Sequence, residues 1–209
     1  MARLAVFDLD GTLVDSIDDL HASVNHALAA VGLPARTREE VHGFVGEGAR
    51  VLLAKAVAPR DDLLEPALAA WRPYYEAHCL DRTRSYPGIT ALLAGASRVL
   101  AVHTNKPGVM ARKILAGLDL LPRFAAVVGG DDAPRKPDPA GLLDIMARVG
   151  ATAAETVFVG DSRHDVETAR AAGVEMVAVS WGLSTRAELV RAGVKVIADS
   201  PAELARWVA

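Results

Sequence analysis

Two aspartates one residue apart, Asp8 and Asp10 in Asp8-Leu9-Asp10-Gly11-Thr12-Leu13, follow directly on a short apolar run beginning at Leu4. Further along, His103-Thr104-Asn105-Lys106-Pro107, Arg135-Lys136-Pro137-Asp138-Pro139 and Gly160-Asp161-Ser162-Arg163-His164-Asp165 bring hydroxyl, cationic and acidic groups to the ends of other apolar runs or the turns after them. Carboxylates gathered in one place repel one another unless a cation sits among them, and oxygen-only donors suit a hard ion, so the set predicts Mg2+. Magnesium keeps several waters and takes ligands from a substrate phosphate. Phosphoryl transfer is therefore the expected chemistry, with Lys136 meeting the phosphate oxygens.

Phosphate-monoester hydrolysis demands accelerations of up to ~10^21, roughly 28 kcal/mol. General acid/base help supplies only ~10^2 to 10^4 of this. The remainder has to come from covalent catalysis, positioning and electrostatic stabilisation of the phosphoryl oxygens. Asp8 as nucleophile, forming an aspartyl phosphate, supplies the covalent step. Asp10 is spaced to protonate the leaving oxygen and later to activate the hydrolytic water.

Those residues need a scaffold that brings them together. Residues 4–8, 99–104, 125–130, 156–161, 175–181 and 194–199 are continuously apolar, as strands buried on both faces are. Segments of helical period lie between them, at 108–118, 139–149 and 165–172. Strand then helix, repeated, predicts an α/β fold, a Rossmann-like parallel sheet with crossover helices, and ligands bind outside the carboxyl ends of such strands. The first connection differs, because residues 15–85 hold no convincing strand run. Ser16 with Asp19 and Thr37 with Glu40 both place an acid three after a hydroxyl, a capping-box spacing. Gly32-Leu33-Pro34 and Ala58-Pro59 read as helix ends, and Tyr86-Pro87-Gly88 as the return to the sheet. The division expected is a core of residues 1–14 and 86–209 with a small all-helical cap domain, 15–85, inserted after the first strand.

The balance of 51% apolar and 23% charged residues is that of a globular chain. A formal charge of −3 without Lys/Arg clusters argues against nucleic acid as a partner. No apolar stretch reaches the length of a membrane helix, the N-terminus has no signal-peptide pattern, and the single Cys79 makes no internal disulfide. These features predict a cytoplasmic protein, monomer or homodimer, whose partner is a small phosphorylated metabolite. His21, His26, His42, His78 and His103 have no partner at metal-ligand spacing, His164 reads as loop surface, and Trp71, Tyr74 and Tyr75 read as the packing face of a helix.

The four segments together resemble the motifs of the haloacid dehalogenase superfamily, in order and over nearly the whole chain. The resemblance implies Asp8 as nucleophile, Asp10 as acid/base, and Thr104 and Lys136 on the phosphate, with Gly11, Thr12 and Asn105 also meeting the substrate. It further implies Mg2+ held by Asp8, the Asp10 carbonyl and Asp161, with Asp165 in or next to its second shell. Phe44-Val45-Gly46-Glu47-Gly48 with Arg50, Tyr86-Pro87-Gly88 and Ser180-Trp181-Gly182 are similar to the phosphoglycolate-phosphatase-like subgroup, which implies 2-phosphoglycolate as substrate. A glycine-flanked loop at Gly46 and Gly48 can bring backbone amides close to a small anionic substrate, and Arg50 can pair with a carboxylate. Two features depart from the family: residues 92–101 are compact, and His103 stands where an apolar residue is usual. Other sugar or amino-sugar phosphates and a phosphosugar mutase are the alternative activities. A dehalogenase has no need of Asp10, and a phosphoaspartate receiver module carries no helical insert.

Overall fold

The computed structural model describes residues 4–208; residues 1–3, on which the reading of the N-terminus rests, and residue 209 lie outside them. The chain forms strand β1 (Leu4–Phe7), the two-residue strand β2 (Val14–Asp15), helices α1 (Ile17–Ala30), α2 (Arg38–Phe44), α3 (Ala49–Val57) and α4 (Leu64–His78), and the two-residue strand β3 (Arg84–Ser85). It then alternates through α5 (Ile89–Ala94), β4 (Val99–His103), α6 (Gly108–Gly117), β5 (Ala126–Val128), α7 (Ala140–Val149), β6 (Thr156–Gly160), α8 (Arg163–Ala172), β7 (Glu175–Val179), α9 (Arg186–Arg191), β8 (Val196–Ala198) and α10 (Pro201–Val208).

Six strands make one parallel sheet in the order β5-β4-β1-β6-β7-β8. Successive side chains on a strand point to opposite faces. Ala5 and Phe7 join one core with Val102, Val157 and Val159, while Leu4 and Val6 join the other with Ala101 and Phe158. Burial on both faces is what made these runs continuously apolar. No helix among the described residues is long and apolar enough to cross a membrane.

Between β2 and β3 lies the helical segment. Its α1 and α4 are joined at the buried Ser23, whose Oγ accepts a 2.9 Å hydrogen bond from Trp71 Nε1. Thr37 and Glu40 close the expected capping box of α2. Ser16 does not cap α1: its hydroxyl turns to Asp10 Oδ1 at 2.5 Å, a charged acceptor. Asp19, its expected partner, instead accepts from Arg82 N, Thr83 N and Thr83 Oγ1 at 2.7–3.1 Å, which fastens the start of α1 to the returning chain. The reading of residues 15–85 as strandless also needs correction. β2 and β3 pair antiparallel, Val14 with Ser85 and Asp15 with Arg84, where the chain leaves and re-enters the sheet region. Two residues per strand are too few to show a period.

His103, at the end of β4, is 1% exposed and its Nδ1 has no hydrogen-bond partner. Phe158 meets the ring edge-on at 6.1 Å, and a Cβ on Gly141 of α7 would stand 2.4 Å from Nε2. Burial, assisted by the Lys136 charge and opposed by Asp165, lowers the imidazole pKa from 6.5 to about 3. Below pH ~6.5 the unfolded chain takes up a proton that the folded chain refuses. The stability contributed by the neutral ring is thus complete above pH ~6.5 and is lost as pH falls towards ~3. His103→Leu is expected to flatten the decline in denaturant-measured stability between about pH 7 and pH 5. Parallel declines in the two proteins would contradict a neutral buried His103.

Candidate active site

β1 is the point at which the strand order reverses: β4 and β5 lie on one side of it, β6 to β8 on the other. The crevice outside the carboxyl ends of β1, β4 and β6 is therefore the switch point at which open parallel sheets hold ligands. Asp8 follows β1 and still donates its N–H to Val159 O at 2.8 Å, so the sheet itself fixes its backbone. Thr104 follows β4, its N–H donating to Val128 O at 3.0 Å, and Asp161 follows β6.

Asp8 is 8% exposed. Lys136 Nζ, on a side chain 1% exposed, lies 2.8 Å from Asp8 Oδ1 and 2.7 Å from Asp165 Oδ1. The contact with Asp8 has ion-pair distance but not hydrogen-bond geometry, and Asp8 Oδ1 has no hydrogen-bond partner. Asp165 Oδ2 accepts from Asp161 N, Ser162 N and Ser162 Oγ at 2.7–3.1 Å, so both Asp165 oxygens are engaged. Asp161 accepts from Thr12 Oγ1 at 2.8 Å and from Leu183 N at 2.7 Å. Asn105 holds the Lys136 backbone from both sides, accepting from its N–H at 2.8 Å and donating to its carbonyl at 3.1 Å. The same Asn105 amide donates to Gly46 O at 2.9 Å, joining the helical segment to the sheet edge. Thr104 is buried and its Oγ1 accepts from Lys106 N at 3.2 Å.

Charge is unbalanced here. Burial, opposed by Lys136 and reinforced by Asp165, raises the Asp8 pKa to about 6. Burial, then Asp165 and Asp8, hold Asp161 well above the usual carboxylate range. Lys136 keeps its charge against burial because Asp165 and Asp8 hold its pKa above the usual lysine value. One lysine thus faces three buried carboxylates, whose ligand oxygens all lie within 4.8 Å of one another. A hard divalent cation fits this set, because the donors are all oxygen, Asp8 Oδ1 has a free lone pair, and added positive charge relieves the repulsion. Gly11, at φ 84°, is required by the same crowding: a Cβ there would stand 2.3 Å from Asp161 Oδ2.

Asp10 lines the same cleft as Asp8. Lys106 Nζ donates to its two oxygens at 2.8 and 2.9 Å, and the Lys106 side chain is 3% exposed. The cleft above Asp8 and Asp10 has a free volume of about 40 Å³ and is walled by Leu20, Val45, Leu52, Trp71 and Tyr75 from the helical segment. Gly46 and Gly48 line it too, and a Cβ on Gly48 would stand 2.9 Å from Asn105 O. Arg50 is not in this cleft. It pairs with Glu65 at 2.6 Å and lines a wider neighbouring cleft of about 590 Å³.

Sequence reasoning gave no role to Lys106, gave Ser16 only that of a helix cap, and read Tyr75 and Trp71 as packing alone. Lys106 follows Asn105 at a strand end, the one signal that marked it, but its partner is 96 residues away. Trp181, noticed only as part of a motif, donates from Nε1 to Thr12 O at 3.2 Å and so braces the loop that carries Asp10 and Gly11.

A family model described as haloacid dehalogenase-like hydrolase matches residues 5–179. A phosphoglycolate phosphatase of Pseudomonas syringae pv. syringae (strain B728a) is 41% identical over 194 residues, covering 87% of this chain and 71% of its own. One from Rhodospirillum rubrum is 39% identical and covers 100% of this chain and 91% of its own. The crystal structure of a predicted phosphoglycolate phosphatase from Haemophilus somnus 129PT superposes with a TM-score of 0.93 at 30% identity, over 100% of this chain and 98% of that one. Matched by the family model over residues 5–179 and 41% and 39% identical to the Pseudomonas syringae and Rhodospirillum rubrum relatives, the chain belongs to the haloacid dehalogenase-like hydrolases.

Proposed function

We propose that the protein is a Mg2+-dependent phosphatase that hydrolyses a small phosphate monoester, 2-phosphoglycolate before others, through a phosphoryl group carried on Asp8. The observation that carries the reading is Asp8 itself: buried, with an oxygen lacking a hydrogen bond, beside Lys136 and within a cluster of acids. The names of the relatives in Pseudomonas syringae and Rhodospirillum rubrum support the substrate.

Asp8 attacks phosphorus and the ester P–O bond breaks, while Asp10 gives its proton to the departing oxygen. Water then attacks the phosphorus of the acyl phosphate, Asp10 takes the proton, and Asp8 and inorganic phosphate are released. Lys136 and Thr104 hold the phosphoryl oxygens, with the backbone of Gly11 and Thr12 and the Asn105 side chain at the rim. Asp165 keeps Lys136 aimed at Asp8 and stands next to the ligand set. Mg2+, held by Asp8, Asp161 and the Asp10 carbonyl, would neutralise charge developing on the phosphoryl group.

Residues 15–85 act in this reading as a cap domain over the core. A cleft of about 40 Å³ holds only a few waters, since one needs ~10–15 Å³. Substrate therefore enters as the cap swings away and is sealed from water as it returns. The wider cleft shares Ala49, Trp71 and Pro107 with the inner one and is the access route. The single buried Cys79 suits a reducing compartment, and we place the enzyme in the cytoplasm.

Purified protein with Mg2+ is expected to turn over a panel of small phosphate monoesters with 2-phosphoglycolate highest in kcat/KM, to stop on chelation and to resume when Mg2+ is restored. Undiminished turnover in chelator would overturn the metal requirement. A different monoester at the head of the panel would overturn the substrate.

A further inference from the structure

Lys106 turns a buried charge towards Asp10, yet it is not the sole donor there, because Ser16 Oγ also donates to Asp10 Oδ1. Next to the ammonium is a second polar group without use. Tyr75 is 0% exposed, its Oη has no hydrogen-bond partner, and its ring centroid lies 5.0 Å from Lys106 Nζ. Both side chains line the inner cleft, one from the sheet edge and one from α4. Of the other walls from the helical segment, Leu20, Val45, Leu52 and Trp71 offer an anion apolar surface and Gly46 and Gly48 only backbone groups, while the Asn105 amide already donates to Gly46 O and Lys136 O. A buried hydroxyl left unpaired beside a buried ammonium is costly unless a ligand completes it.

Resting on the phosphatase reading, we propose that Lys106 and Tyr75 form the receptor for a second anionic group of the substrate, a carboxylate one carbon beyond the ester oxygen. Asp10 serves the ester oxygen, so a substituent on the adjoining carbon arrives at the groups flanking Asp10. Lys106 Nζ turns from Asp10 to the incoming carboxylate while Ser16 keeps Asp10 in place. Tyr75 Oη donates the second hydrogen bond. Lys106 and Tyr75 thus determine specificity, whereas Arg50, paired with Glu65 in the outer cleft, does not read the carboxylate.

The test compares 2-phosphoglycolate with its neutral isostere, 2-phosphoglycolamide, in wild type, Lys106→Gln and Tyr75→Phe, all with Mg2+. The quantity read is the ratio of kcat/KM for the two esters. Wild type is expected to prefer the carboxylate by about 100-fold, as the loss of a charge-assisted bond at a closed site implies. Lys106→Gln is expected to bring that ratio to within about threefold of unity, and Tyr75→Phe to lower it about tenfold. Tyr75→Phe removes only an unpartnered hydroxyl, so it folds even where Lys106→Gln does not. A wild type indifferent to the carboxylate overturns the proposal, as does an equal loss on both esters, which is what a residue that merely holds Asp10 would give. No turnover of either ester, or of p-nitrophenyl phosphate, by wild type would remove the phosphatase reading as well. Turnover with unchanged ratios removes the receptor alone.

Discussion

Asp8→Asn is expected to lower turnover by on the order of 10^5- to 10^6-fold, the scale seen when a nucleophile is deleted from a machine whose parts act together. The same substitution is expected to hold or raise stability. Burial and the nearby Asp165 push the Asp8 pKa to about 6, so its ionised form opposes folding at neutral pH. Asparagine keeps the shape and removes the charge. Catalysis lost with the melting temperature kept separates chemistry from folding. Turnover by Asp8→Asn close to that of wild type, or a large drop in its melting temperature, would contradict the role given to this residue.

Lys136→Met has the opposite profile. It leaves Asp8, Asp161 and Asp165 buried without a protein cation, and removing one partner of a buried pair costs about 3–5 kcal/mol. Turnover is expected to fall about 10^3-fold, as when a group stabilising the transferring charge is removed. The stability cost should shrink as pH is lowered, because Asp8 and Asp161 have raised pKa values and neutralise early. Denaturant unfolding of wild type and variant at two pH values checks both points. A loss below ~1 kcal/mol at neutral pH would mean that the lysine does not balance the cluster.

The sheet was legible because strands buried on both faces are continuously apolar, and each expected run holds a strand of it. The residues at the strand ends were legible for a related reason. Polar and charged types such as Asp8, Thr104 and Asp161 break off an apolar run only where the strand leaves the core, and all three stand there. Local chemistry misled where a stronger partner lay close in space. Ser16 has the composition of a helix cap, but the Asp10 carboxylate outbids the α1 amides for its hydroxyl. Asp19 likewise serves Arg82 and Thr83, 63 and 64 residues on. Lys106, Tyr75 and Asp10 come from three segments, and no spacing along the chain announces that they meet.

In the proposed mechanism the phosphoryl group resides on Asp8 during turnover. Protein quenched in acid while hydrolysing a phosphate monoester with Mg2+, then digested and mapped by mass spectrometry, is expected to carry one phosphoryl group on the peptide containing Asp8. That label should be discharged by hydroxylamine and be missing from Asp8→Asn. A phosphoryl group trapped on any other residue, or an Asp8→Asn protein that still turns over as wild type does, would contradict it.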